Sequence, residues 1–193
     1  MAISLDKGAN LSLTKEDPGL SVARIGLGWD VRTTNGVGFD LDASALLLGS
    51  NGKVRSDSDF IFYGQLSDKA GAVVHQGDNR TGEGDGDDEQ VLVNLGLVPA
   101  DVERVVFVAS IYKADENGQN FGQVRNSYIR LLNEETQVEV ARYELGEEVA
   151  SENAVIFAEV YRYRGEWKFR AVGQGFIDGL GGIARDFGVH IDN

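Results

Sequence analysis

Apolar residues in this chain come in short runs, and that spacing limits the fold more than any other feature. The runs are Val22–Leu27, Phe39–Leu48, Phe60–Tyr63, Ala72–His75, Val91–Leu95, Val105–Tyr112, Tyr128–Leu132, Val138–Leu145, Ala154–Tyr163 and Trp167–Val172. Each has the length and the β-branched or aromatic character of a strand. Asn51-Gly52 and Asn117-Gly118 adopt positive φ cheaply and mark turns. Arg164-Gly165-Glu166 separates two aromatic-bearing runs and predicts a hairpin. Short strands at this spacing predict an all-β fold, a β-sandwich of about ten strands. Two stretches read as helix. Residues 99–103 are expected to form one turn. Phe176, Leu180, Ile183 and Phe187 fall on one face of an amphipathic C-terminal helix. Gly181 and Gly182 each cost that helix about 1 kcal/mol relative to Ala, so packing must hold it. With no internal repeat and no Pro/Ser linker, residues 1–193 are expected to form one domain.

Composition removes several functional classes. The 193 residues include no Cys, two His and one Met. A thiolate zinc site, an iron–sulfur cluster and a cysteine nucleophile are therefore excluded. The 31 acidic and 18 basic side chains give a net charge of -13. That excess opposes phosphate-neutralising contacts with nucleic acid and docking on anionic lipid. No run approaches the ~18 apolar residues of a membrane helix. The N-terminal MAISLDKGANLSL lacks the layout of a signal peptide. The expectation is a cytoplasmic protein with no nucleic-acid partner and no direct membrane insertion.

The charge is concentrated. Residues 78–89 hold six carboxylates and one Arg, and four Gly lie between positions 77 and 86. Like charges this dense repel one another unless water or a cation screens them. The segment is tethered between two expected strands, so it cannot relax as an acidic tail does. Glycines permit sharp bends that turn carbonyls inward. Carboxylates with carbonyls are the donor set of a hard cation such as Ca²⁺. An EF-hand is excluded, because Arg80, Gly82 and Glu83 occupy that motif's third, fifth and glycine positions. A phosphate-binding loop is excluded by the missing Gly-Lys-Ser/Thr ending.

A second acidic group lies in Phe39-Asp40-Leu41-Asp42-Ala43-Ser44. On a strand Asp40 and Asp42 share one face, while Phe39, Leu41 and Ala43 share the other. Asp is depleted in strands, so the pair calls for compensation that a divalent ion would supply. Asp30, ending Gly26-Leu27-Gly28-Trp29-Asp30, joins the same rim. Arg32 and Arg80 are the expected salt-bridge partners. Setting aside Arg80 and the nine acids of these groups leaves 22 acids against 17 bases, so most of the excess charge is local. Asp115-Glu116-Asn117-Gly118-Gln119-Asn120 reads as an Asn-Gly hairpin or, less simply, as a further set of cation ligands.

These motifs resemble the TerD family of tellurium-resistance and stress proteins. The resemblance rests on Gly26–Asp30, Phe39–Ser44 and Gly77–Glu89. It continues through Phe121-Gly122-Gln123-Val124 and Ile129-Arg130-Leu131, and closes with Gly165–Gly175. It implies a calcium-binding β-sandwich that holds two neighbouring ions. The ligands it implies are Asp30, Asp40, Asp42, Asp78, Asn79, Glu83, Asp85, Asp87, Asp88 and Glu89. It also implies action with other tellurium-resistance proteins, an integral membrane component among them, and no catalytic activity.

Three functional readings are distinguishable. The first is a non-enzymatic calcium-binding adaptor or stress sensor. The second is a two-metal phosphoester hydrolase, with ions ~4 Å apart clamping the reacting oxygens. His75 is then the single nearby base, and no basic substrate pocket accompanies it. The third, direct reduction of tellurite, lacks thiols and lacks a dinucleotide fingerprint after a strand.

Overall fold

A computed structural model describes residues 1–30, 38–77 and 86–192. The strands are β1 (Ile3–Leu5), β2 (Asn10–Ser12), β3 (Val22–Asp30), β4 (Leu41–Leu48), β5 (Phe60–Ile61) and β6 (Val73–His75). They continue with β7 (Glu89–Asn94), β8 (Arg104–Ile111), β9 (Arg125–Asn133), β10 (Glu139–Glu144), β11 (Ala154–Tyr163) and β12 (Glu166–Phe176). Three α-helical segments accompany them: α1 (Leu13–Glu16), α2 (Ala114–Asn117) and α3 (Gly179–Asp186).

The strands form two six-stranded sheets. One runs β1-β10-β9-β3-β7-β6, the other β2-β12-β11-β8-β4-β5. Every pairing is antiparallel except β1 with β10. The β-sandwich expected from the sequence is therefore present. Alternate residues face inward as the period of two requires. Ile25, Leu27 and Trp29 of β3 meet Ala43, Ala45 and Leu47 of β4 in one core with Phe107, Phe157 and Phe169. A second cluster covers the outer face of the β4-bearing sheet. There Leu46, Leu48, Val106 and Val108 pack under Ile183 and Ala184 of α3. This packing holds a helix that carries two glycines in its middle.

Strand ends match the turn chemistry. Arg164 (φ 49) and Gly165 (φ 78) both lie in the left-handed region, and Tyr163 pairs with Glu166 across them. Two positive-φ residues are what a tight type I′ hairpin needs. Other expectations need correction. Residues 99–103 are not helical; a single Val102-to-Pro99 backbone bond of 2.9 Å closes a turn there. Asn117-Gly118 is not a hairpin. Asn117 ends α2, Gly118 caps it at φ 61, and the strands on either side belong to different sheets. The three-residue strands β1 and β2 were not expected, because each is too short to show a period.

The role of α3 as a lid over apolar strand faces is open to test. Ile183 is fully buried, so Ile183→Ala is expected to cost about 2–4 kcal/mol in urea unfolding. A loss below about 1 kcal/mol would contradict it.

Candidate metal centre

The acidic segment ends by being sewn onto β3. Asp88 donates its backbone N–H to the Leu27 carbonyl at 2.8 Å. Its carboxylate accepts the Trp29 backbone N–H at 3.0 Å. β7 then pairs with β3, Glu89 opposite Leu27 and Gln90 opposite Gly26. Three successive carboxylates are drawn against one strand end, and each takes a different direction.

Asp87 turns onto the outer face of its sheet. One carboxylate oxygen accepts the Arg130 Nε–H at 2.7 Å and the Tyr128 hydroxyl at 3.0 Å. The side chain is 1% exposed. Gly26 and Gly28 make room for it. A Cβ on Gly26 would stand 2.1 Å from Asp87 Oδ2, and one on Gly28 would stand 2.3 Å from the Tyr128 ring. The register explains both contacts, since Gly26 lies opposite Arg130 and Gly28 opposite Tyr128. Arg130 is gripped on its other side by Glu139 at 3.0 Å. The Asp87 hydrogen bond raises the Arg130 pKa despite the cost of burial. Burial, followed by the Asp87 charge, pushes the Tyr128 phenol up to about 12.

Glu89 begins the inward-facing row of β7 that Val91 and Val93 continue. Its Oε2 lies 3.3 Å from His75 Nε2, and both side chains are 1% exposed. His75 Nδ1 accepts the Gly77 N–H at 3.0 Å. The ring proton is therefore assigned to Nε2, 3.1 Å from the Ala43 carbonyl. This histidine joins the stem of the acidic segment to β4, the strand that carries Asp42.

Asp88 is the electrostatically stressed member. Burial raises its pKa first. The Trp29 amide opposes that shift, and the charges of Asp87, Glu89 and Asp30 add to it. The structure thus brings Asp30, Asp87, Asp88 and Glu89 to one end of the β3–β7 pair. Asp30 is exposed there and accepts a hydrogen bond from the Asn126 side-chain amide. Asp40 is half-buried, and its carbonyl accepts the Tyr112 N–H at 2.7 Å. Asp42 sits opposite Ser110 and lines a cleft of about 290 Å³ with Tyr63, Lys113 and Asn153. Asp78, Asn79, Glu83 and Asp85 lie outside the described residues, as do Arg32 and Arg80. Among the described residues, no three His, Asp or Glu side chains form a metal-holding group. Asp115, from the other acidic segment, accepts a hydrogen bond from Asn153 at 3.0 Å.

Arg130, Tyr128 and the paired glycines had no assigned role in the sequence reading. The available signal was an Arg within the apolar alternation Tyr128-Ile129-Arg130-Leu131. Its partner, an alternate-residue glycine pair in β3, becomes visible once the register is known.

The TerD domain family model matches residues 1–187. The chain belongs to the TerD family. It is 54% identical over 190 residues to tellurium resistance protein TerD from Serratia marcescens, covering 98% of this chain and 99% of that one. It is 51% identical over 192 residues to general stress protein 16U from Bacillus subtilis (strain 168), covering 99% and 100%. A solved structure of a TerD homologue from Streptomyces coelicolor A3(2) superposes with a TM-score of 0.70 at 23% identity, covering 86% of this chain and 96% of that one. That likeness establishes a shared TerD-type fold. Among the described residues, no helix is long and apolar enough to cross a membrane.

The stress on Asp88 sets a sign. Its folded-state pKa lies above the ordinary 3.8, so protonation favours the fold. The penalty is absent below the unfolded value and grows as pH rises through the folded one. Asp88→Asn keeps an oxygen for the Trp29 amide. In chelator-treated protein it should raise the melting temperature near pH 7 and change it little near pH 3.5. The same change at both pH values would contradict this account.

Proposed function

We propose that the chain is a non-enzymatic calcium-binding stress-response protein associated with tellurite resistance. It holds a pair of calcium ions through the acidic Gly-rich loop and the Asp40/Asp42 strand. It acts as an adaptor or sensor with other tellurium-resistance proteins, an integral membrane component among them. The resistance and stress vocabulary of its relatives supports the setting. The observation that carries the calcium reading is Asp88, a half-buried carboxylate held against Trp29 beside the charges of Asp87, Glu89 and Asp30. A cation relieves that repulsion, whereas further protein packing does not. The donors are carboxylate oxygens, which suit a hard ion at ~6–8 ligands and do not select a soft metal.

The candidate ligands divide by position. Asp30, Asp88 and Glu89 line the β3–β7 end, Asp40 directly precedes β4, and Asp42 lies on the outward face of β4 beside Tyr63 and Lys113. Asp78, Asn79, Glu83 and Asp85 complete the set from the sequence. Calcium here bridges a loop to strands of both sheets, so binding energy becomes stability of that end. The hydrolase alternative gains no support from His75. Its Nδ1 is occupied by the Gly77 amide and its Nε2 faces the Ala43 carbonyl, which leaves no nitrogen free to take a proton from water.

Calcium titration of chelator-treated protein tests the reading directly. At about one hundred times the dissociation constant, binding adds about 2.7 kcal/mol. For a chain of this size that raises the melting temperature by roughly 5–10 °C. No shift at millimolar calcium would contradict the proposal.

A further inference from the structure

We propose that Asp87 is a latch and not a calcium ligand. With Arg130 and the Gly26 trough, it sets where the acidic segment joins β7 and so positions Asp88 and Glu89 for the ion. This inference rests on the calcium reading above. Asp87 is committed to a cation of the protein itself. Arg130 Nε lies 2.7 Å away, and Glu139 holds the same guanidinium from the far side. The other Asp87 oxygen is buried against Gly26, facing the sheet surface, which a Cβ at that position would occupy. A carboxylate in this seat is ion-paired to Arg130, and its oxygens lie over Gly26 on the outer face of the sheet.

The consequence for its neighbours is geometric. Asp87 fixed on the outer face leaves the next peptide in line with the Leu27 carbonyl, where Asp88 N–H bonds at 2.8 Å. Asp88 then meets the Trp29 amide, and Glu89 enters the inward row of β7. The Gly-Leu-Gly sequence of β3 thus has a stated use. Gly26 seats the latch and Gly28 seats the Tyr128 ring that hydrogen-bonds it.

Arg130→Met separates a latch from a ligand by sign. If Asp87 binds calcium, Arg130 competes with the ion for one carboxylate, and its removal tightens binding. If Asp87 is a latch, Arg130→Met frees the segment and calcium affinity falls roughly tenfold, the size of effect seen when groups that orient metal ligands are lost. Gly26→Ala is the second variant. It removes no charge and displaces only the end of a side chain, and it should weaken calcium binding in the same direction. Arg130→Lys should recover part of the affinity, because it restores the charge without the fork. Affinity is read by calorimetry on folded protein. A merely structural Arg130 would lower the melting temperature and leave that affinity unchanged, which would overturn the proposal, as would tighter binding.

Amide exchange in chelator-treated protein gives a readout independent of calcium. Arg130→Met and Gly26→Ala should speed exchange of the Asp88 amide by at least about tenfold while Val91 and Val93 stay protected. Unchanged Asp88 exchange would refute the latch even if calcium binds. Failure of the unaltered protein to bind calcium would overturn the functional reading and with it the positioning role. Faster Asp88 exchange in the variants would still establish the latch.

Discussion

The antiparallel pairing of β3 with β7 is the constraint on which the rest of this end of the molecule depends. It begins where Asp88 bonds to Leu27 and Trp29, and it converts a charge run into a fixed arrangement. Left in water, Asp87, Asp88 and Glu89 would spread apart to lower their repulsion. Tied to a strand end, they are sorted. One is neutralised by Arg130, one is buried beside His75, and one remains stressed between them. The fold supplies the energy for this through the sandwich core, to which β3 contributes Ile25, Leu27 and Trp29.

Much of the fold was legible because its long strands are short apolar runs bounded by turn residues. β4 and β11 are such runs, buried on both faces over most of their length, and the Arg164-Gly165 turn announces its own hairpin. The elements that escaped are those whose formation depends on distant partners. β1 pairs parallel with β10 and β2 pairs with β12, contacts that three residues cannot signal. Residues 99–103 carry helix-compatible side chains, yet a single turn directly before β8 leaves no room for a helix to propagate. Asn117-Gly118 has the chemistry of a hairpin turn, but the same φ > 0 preference also caps a helix.

The candidate site was legible in its residue types and less so in its directions. Alternation correctly put Asp42 on the face opposite Leu41 and Ala43. It could not say that this face looks outward, toward Tyr63 and Lys113, and not toward β7. In the same way the acidic run gave no sign that Asp87 turns back over Gly26. That contact joins residues about sixty apart, and it needs the β3–β9 register, which brings Arg130 opposite Gly26. A glycine pair two residues apart in an otherwise apolar strand is the local trace of such a seat.

A structure of the calcium-loaded protein tests the central claim most directly. The account predicts an ion with about seven or eight oxygens near 2.4 Å. Asp88 and Glu89 would be among the ligands, and Asp87 would remain on Arg130. An ion bound through Asp87, six ligands near 2.1 Å, or no ion at this end of the sandwich would contradict it.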